Sequence, residues 1–143
     1  MIKYDIRSKQ FIKLFKDDNG NYESMVQRVY RQITTVNPMV KVTVATSKNQ
    51  VSVIKSQLGE KINICVEPSR RDTFPAILLA AAYIHYELGI GVEECIAVCP
   101  VDPYVDNDYY KCVGELENLV EAGTANLTLM GIKPTYPSDK YGY

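Results

Sequence analysis

Residues 62–77 read Ile62-Asn63-Ile64-Cys65-Val66-Glu67-Pro68-Ser69-Arg70-Arg71-Asp72-Thr73-Phe74-Pro75-Ala76-Ile77. In the first five, β-branched Ile62, Ile64 and Val66 alternate with Asn63 and Cys65, which predicts a strand. Pro68 and the charged residues after it predict a loop. Pro75 then opens an apolar run to Leu88, closed by Gly89 and Gly91. Proline is tolerated in a first helical turn because that N–H has no partner there. The stretch is therefore strand, polar loop, helix.

The same unit recurs on either side. Met25, Val26, Val29, Tyr30 and Ile33 fall at helical spacing, after a turn cluster at Asp17–Asn21. Residues 40–45 alternate as a strand, and Val51, Ile54 and Leu58 fit a helix with Gly59 as its C-cap. Residues 95–99 (Cys-Ile-Ala-Val-Cys) are almost wholly apolar, which predicts a third strand buried on both faces. A helix follows from Asp106 to Gly123, its first acids complementing the helix dipole. Residues 127–130 predict a fourth strand, and residues 131–143 a Pro/Gly/Tyr tail. Alternation of this kind argues an α/β fold, mainly a parallel sheet with helices on both faces. Ligands of such sheets bind beyond the carboxyl ends of the strands.

The chain has 143 residues, the length of one domain. Sixteen Lys and Arg against seventeen Asp and Glu give a net charge of −1, without the basic footprint of a nucleic-acid binder. No apolar run reaches the roughly 18 residues of a membrane span. Residues 1–5 lack a signal-peptide core, so the four cysteines are expected to be reduced thiols in the cytoplasm.

Two loops carry chemistry. Glu67–Thr73 sets two guanidinium groups ahead of a helix N-terminus, where free N–H donors and the dipole suit phosphate. The competing reading is a solvated loop in which Asp72 or Thr73 caps the helix. Pro100-Val101-Asp102-Pro103 places an acid directly after an apolar strand, a usual position for a magnesium ligand. The competing reading is an aspartate in a plain turn. Cys95 and Cys99 lack a second pair or a nearby His, which leaves them as buried core thiols. His85, the one histidine, has no nucleophile partner in sequence. No glycine-rich phosphate loop is present.

Four stretches taken in order resemble bacterial mannose-1-phosphate guanylyltransferases. Ser8-Lys9-Gln10-Phe11-Ile12-Lys13-Leu14 is similar to a P-K-Q-F-x-x-L motif, with Ser8 in place of proline. Residues 67–77 are similar to E-P-x-x-R-[N/D]-T-x-P-A-I, and residues 97–102 to an apolar strand followed by P-x-D. Residues 131–143 are similar to a G-I-x-P-T-x-P…G-Y-G-Y stretch.

The resemblance implies a Rossmann-like nucleotidyltransferase layer fold. It implies transfer of GMP from GTP to mannose 1-phosphate, giving GDP-mannose and pyrophosphate. Asp102 would hold Mg²⁺ and Lys9 would neutralise phosphate. Glu67, Arg71, Asp72, Thr73, Pro75 and Ala76 would lie by the nucleotide, and Tyr141 and Gly142 by the sugar. Phe74 stands where the family has a small residue and would narrow the base pocket.

The family's first strand and glycine-rich loop have no counterpart here. Nor has its later lysine-bearing E-K-P motif. The expectation is a single partial nucleotidyltransferase domain over residues 1–143, inactive alone. Without the first strand, residues 40–45 and 95–99 either pair directly or expose edges that invite association of copies. The alternatives are a non-catalytic nucleotide-sugar-binding remnant, another sugar-1-phosphate nucleotidyltransferase, and an unrelated flavodoxin-like binding module.

Overall fold

A computed structural model describes residues 8–69, 71–134 and 136–137. The chain opens with a 3₁₀ turn, Lys9–Phe11. A small antiparallel hairpin follows, β1 (Phe15–Lys16) and β2 (Tyr22–Glu23). The Asp17 carboxylate folds its turn by accepting from the backbone N–H groups of Asn19 at 2.9 Å and Asn21 at 2.8 Å. The turn cluster was legible in the sequence, whereas the two-residue strands beside it are too short to show a period.

Helix α1 (Met25–Val36) begins with a capping box. The Ser24 hydroxyl accepts from the Gln27 N–H at 3.2 Å, and the Gln27 side chain accepts from the Ser24 N–H at 3.1 Å. Two otherwise orphan donors are thereby satisfied. Strand β3 (Thr43–Ser47), helix α2 (Val51–Leu58) and strand β4 (Asn63–Glu67) form a β-α-β unit. Its strands are parallel, in register from Thr43 against Asn63 to Ser47 against Glu67. Gly59 caps α2 with φ 97°, a left-handed conformation that glycine adopts without Cβ strain. Helix α3 (Thr73–Tyr86) packs along both strands, and α4 (Asn107–Glu121) packs on α1.

The core joins α1, α2 and the sheet. Phe11, Val26 and Ile54 are buried together, with Val44, Val53, Leu58, Ile62, Ile64 and Val101 packed round them. No helix among the described residues is long and apolar enough to cross a membrane.

The mixed α/β architecture with parallel pairing matches the alternation in the sequence, but the sheet is smaller than expected. Residues 95–99 and 127–130 form no strand. Ile96 is 45% and Val98 58% exposed, so the third strand is not the doubly buried element its composition suggests. A strand exists only through a neighbour's ladder of hydrogen bonds, and β3 pairs with β4 alone among the described residues. Cys95 and Cys99 are half-buried rather than core thiols, and Cys65 is the buried one. Burial pushes all three thiols above their ordinary range, so none is poised as a thiolate.

Candidate functional site

A 3₁₀ turn, Lys48–Gln50, links the carboxyl end of β3 to α2, and these two elements fix the Lys9 turn. Gln50 donates from Nε2 to the Ser8 hydroxyl at 2.9 Å, while its Oε1 accepts from the buried Thr46 hydroxyl at 2.7 Å. From α2, Gln57 donates to the Phe11 carbonyl at 2.9 Å. Phe11 itself is buried in the core. The 3₁₀ turn is thus held at both ends, and Lys9 projects from it at the carboxyl end of the sheet.

Asp102 arrives from the other half of the chain. Val101 before it packs against the core. After it, the Val105 carbonyl accepts from Arg28 Nη2 and from Gln32 Nε2, each at 2.9 Å. The Arg28 guanidinium lies over the Tyr104 ring, 4.5 Å from its centre, and the Phe15 ring stands 5.4 Å from the same ring. Glu23, buried at the end of β2, accepts from Arg31 at 3.0 and 2.8 Å and lies 3.8 Å from Arg28. Asp106 then caps α4, accepting from the N–H groups of Asp108 and Tyr109, the structural role its sequence position suggested.

The outcome is that Lys9 Nζ and Asp102 Oδ1 stand 3.9 Å apart, with 84% and 72% of their side-chain surfaces exposed. A pair so open to water gives little stability. It offers instead a cation and a carboxylate side by side, with their remaining faces towards solvent.

Glu67 ends β4 at this same end of the sheet. Arg71, Asp72, Thr73 and Pro75 are exposed and Ala76 half-exposed. Asp72, not Thr73, takes the N-cap position of α3, with φ 66° and no side-chain cap bond. The capping reading of that loop is therefore not met. Among the described residues Arg71 reaches only the Ser69 hydroxyl, at 3.4 Å. No hydrogen bond or ion pair among the described residues joins this loop to Lys9 or Asp102. Arg70, Tyr141 and Gly142 lie outside the described residues.

His85 serves the end of its own helix. Its Nδ1 lies 2.8 Å from the Ile90 carbonyl, which requires the proton on that nitrogen. An open hollow of about 360 Å³ lies at the opposite, amino end of the sheet, lined by Tyr30, Val42 and residues 58–63. It is remote in the fold from the charged pair, and we assign it no chemistry.

No group of three or more His, Cys, Asp or Glu among the described residues gathers as metal ligands. Magnesium is commonly bound by one or two carboxylates, with substrate phosphates and water completing the shell. One exposed aspartate beside a lysine fits a metal that arrives with phosphate. It does not fit a caged resident ion.

Gln32 and Arg28 were not among the residues singled out from the sequence. One signal was available: Gln32 falls a heptad past Met25 and three residues past Val29, on the apolar stripe of α1.

The chain is similar along nearly its whole length to characterised proteins. A mannose-1-phosphate guanylyltransferase of Escherichia coli is 30% identical over 139 residues, covering 94% of this chain and 28% of the relative. One of Sinorhizobium fredii is also 30% identical over 139 residues, covering 95% of this chain and 26% of the relative. This chain thus spans little more than a quarter of the length of these relatives. No family model matches it, and neither does any solved structure.

Proposed function

We propose, from the premise that this chain is a relative of mannose-1-phosphate guanylyltransferases, that it forms the phosphate-facing part of a Rossmann-like site for GTP and mannose 1-phosphate. The observation that carries the reading is the approach of Lys9 to Asp102, two motif residues from different halves of the chain, at 3.9 Å. In the reaction so proposed, a mannose 1-phosphate oxygen bonds to the α-phosphorus of GTP. The bond from that phosphorus to the pyrophosphate oxygen breaks, and pyrophosphate leaves with the electron pair.

Such a transfer asks the protein for positioning and charge neutralisation rather than for a nucleophile. Lys9 sets its ammonium against a phosphate oxygen. Asp102 is the residue that would hold Mg²⁺, and the ion supplies further neutralisation of the phosphates. The loop from Glu67 to Ala76, at the same end of the sheet, faces the nucleotide in this reading, and Tyr141 and Gly142 the sugar.

The exposure of both charged groups favours binding without turnover for this chain alone, because a phosphate bound between them would stay open to water. The test is calorimetric titration with GTP, UTP and dTTP, each with Mg²⁺, on the wild type, Lys9→Met and Asp102→Asn. GTP binding that both substitutions weaken supports the reading. Equal binding by all three proteins, or none by the wild type, refutes it. Formation of GDP-mannose above a protein-free control refutes the expectation of inactivity.

A further inference from the structure

We infer that Arg28 and Gln32 are positioning residues for Asp102, a pair that sets the loop bearing its carboxylate beside Lys9. The inference rests on the reading of Asp102 as the residue that would hold Mg²⁺. It starts from two polar side chains of α1, Gln32 buried and Arg28 partly so. Gln32 is 2% exposed, and the Arg28 side chain 13%. Both direct a donor to one backbone carbonyl, that of Val105. Each also keeps a buried atom without a partner among the described residues, Nε of Arg28 and Oε1 of Gln32. Unpaired buried polar atoms cost stability, and an apolar side chain at either position would avoid that cost.

What the arrangement achieves lies three residues up the chain from Val105. Among the described residues no hydrogen bond holds the Asp102 side chain, and its ion-pair partner is Lys9. Its backbone is instead fixed from both sides. Val101 is anchored in the core and the Val105 carbonyl is held by two donors, with Pro103 restricting φ between them. The Tyr104 ring, though largely exposed, meets both the Arg28 guanidinium and the Phe15 ring. Phe15 belongs to the hairpin that follows the Lys9 turn, so the same contacts register the Asp102 loop against the segment that bears Lys9. Groups that orient a ligand residue without touching the ligand commonly govern affinity.

The test is a double-mutant cycle read by electron paramagnetic resonance of Mn²⁺, titrated in the presence of GTP. Gln32→Met removes the donor at nearly equal length. Arg28→Lys keeps the charge beside Glu23 and loses the planar fork. Each is made in the wild-type and the Asp102→Asn backgrounds. We expect either substitution to weaken Mn²⁺ binding about tenfold in the wild type and to change nothing once Asp102 is gone. A general loss of structure would weaken binding in both backgrounds alike, and that result overturns the inference. So does full binding by both Gln32→Met and Arg28→Lys where Asp102→Asn binds poorly. If Asp102→Asn itself binds Mn²⁺ as the wild type does, the magnesium reading of Asp102 has failed, and the inference falls with it. Circular dichroism checks the fold, and where one variant does not fold, the other decides.

Discussion

Tyr110 sits on the inner side of α4 with 5% of its surface exposed, and burial pushes its phenol from 10.0 up to about 12. Negative charge on Cys99 or Tyr109 would push the same way, and the nearby Arg28 opposes it. A phenol is neutral when protonated, so the raised value means that the native state keeps a proton the unfolded chain has released. Stability is therefore unaffected below about pH 10, falls as pH rises towards 12, and levels off above it. Two pKa units at about 1.4 kcal/mol each give a loss of about 3 kcal/mol, of which about 2 kcal/mol has gone by pH 11.5. The perturbation is Tyr110→Phe, which keeps the ring and its edge contact with Tyr109 at 5.2 Å. Urea unfolding of both proteins at about pH 9 and about pH 11.5 isolates the effect, since the other tyrosines and lysines titrate in both. The phenylalanine variant should gain about 2 kcal/mol on the wild type between those pH values. Stability differences that stay the same at both pH values would refute the burial argument.

Ile54→Ala removes a side chain 1% exposed from the contact with Phe11 and Val26, and should cost about 2–5 kcal/mol in thermal or urea unfolding; a loss under about 1 kcal/mol would mean a loosely packed core. Hydrogen bonding, from the Asn21 N–H above all, holds the Asp17 carboxyl below its ordinary 3.8. Its contribution to the hairpin is therefore fully present above 3.8 and lost as pH falls through the lower, folded value. An NMR titration of Asp17 with a midpoint at or above 3.8 would contradict this. Ser8→Ala leaves Gln50 Nε2 without its acceptor and should cost about 1 kcal/mol. Ser8→Pro, which restores the residue of the resembling motif, loses the same bond, and an unchanged melting temperature in both variants would show the contact to be idle.

The β3-α2-β4 unit was legible because each of its signals is local: β-branched alternation, a three-to-four spacing, and Gly59 where a left-handed cap is needed. Residues 95–99 failed the same reading for a reason outside their own composition. An apolar run favours burial, but a parallel strand also needs a neighbour whose amides it can use. No such neighbour stands beside it among the described residues. Helix α3 shows the same limit from the other side. It is apolar around its circumference yet contributes no buried residue, because the sheet beneath it is two strands wide.

The site divides along a similar line. Lys9 and Asp102 were legible as motif residues, since the roles proposed for them, against phosphate and metal, each ask for one chemical kind of group. Their separation was not legible, because it is set by residues whose chemistry is used inside the protein. Gln50 links Ser8 to Thr46, and Gln32 with Arg28 holds a carbonyl beyond Asp102. Such residues betray themselves only as misfits: an amide on the apolar stripe of α1, a serine where the motif has proline. A buried amide whose Oε1 has no partner among the described residues lowers stability, which an apolar side chain would not do. In the positioning role inferred for Gln32, that cost is offset by the Val105 carbonyl it helps to hold, three residues beyond Asp102.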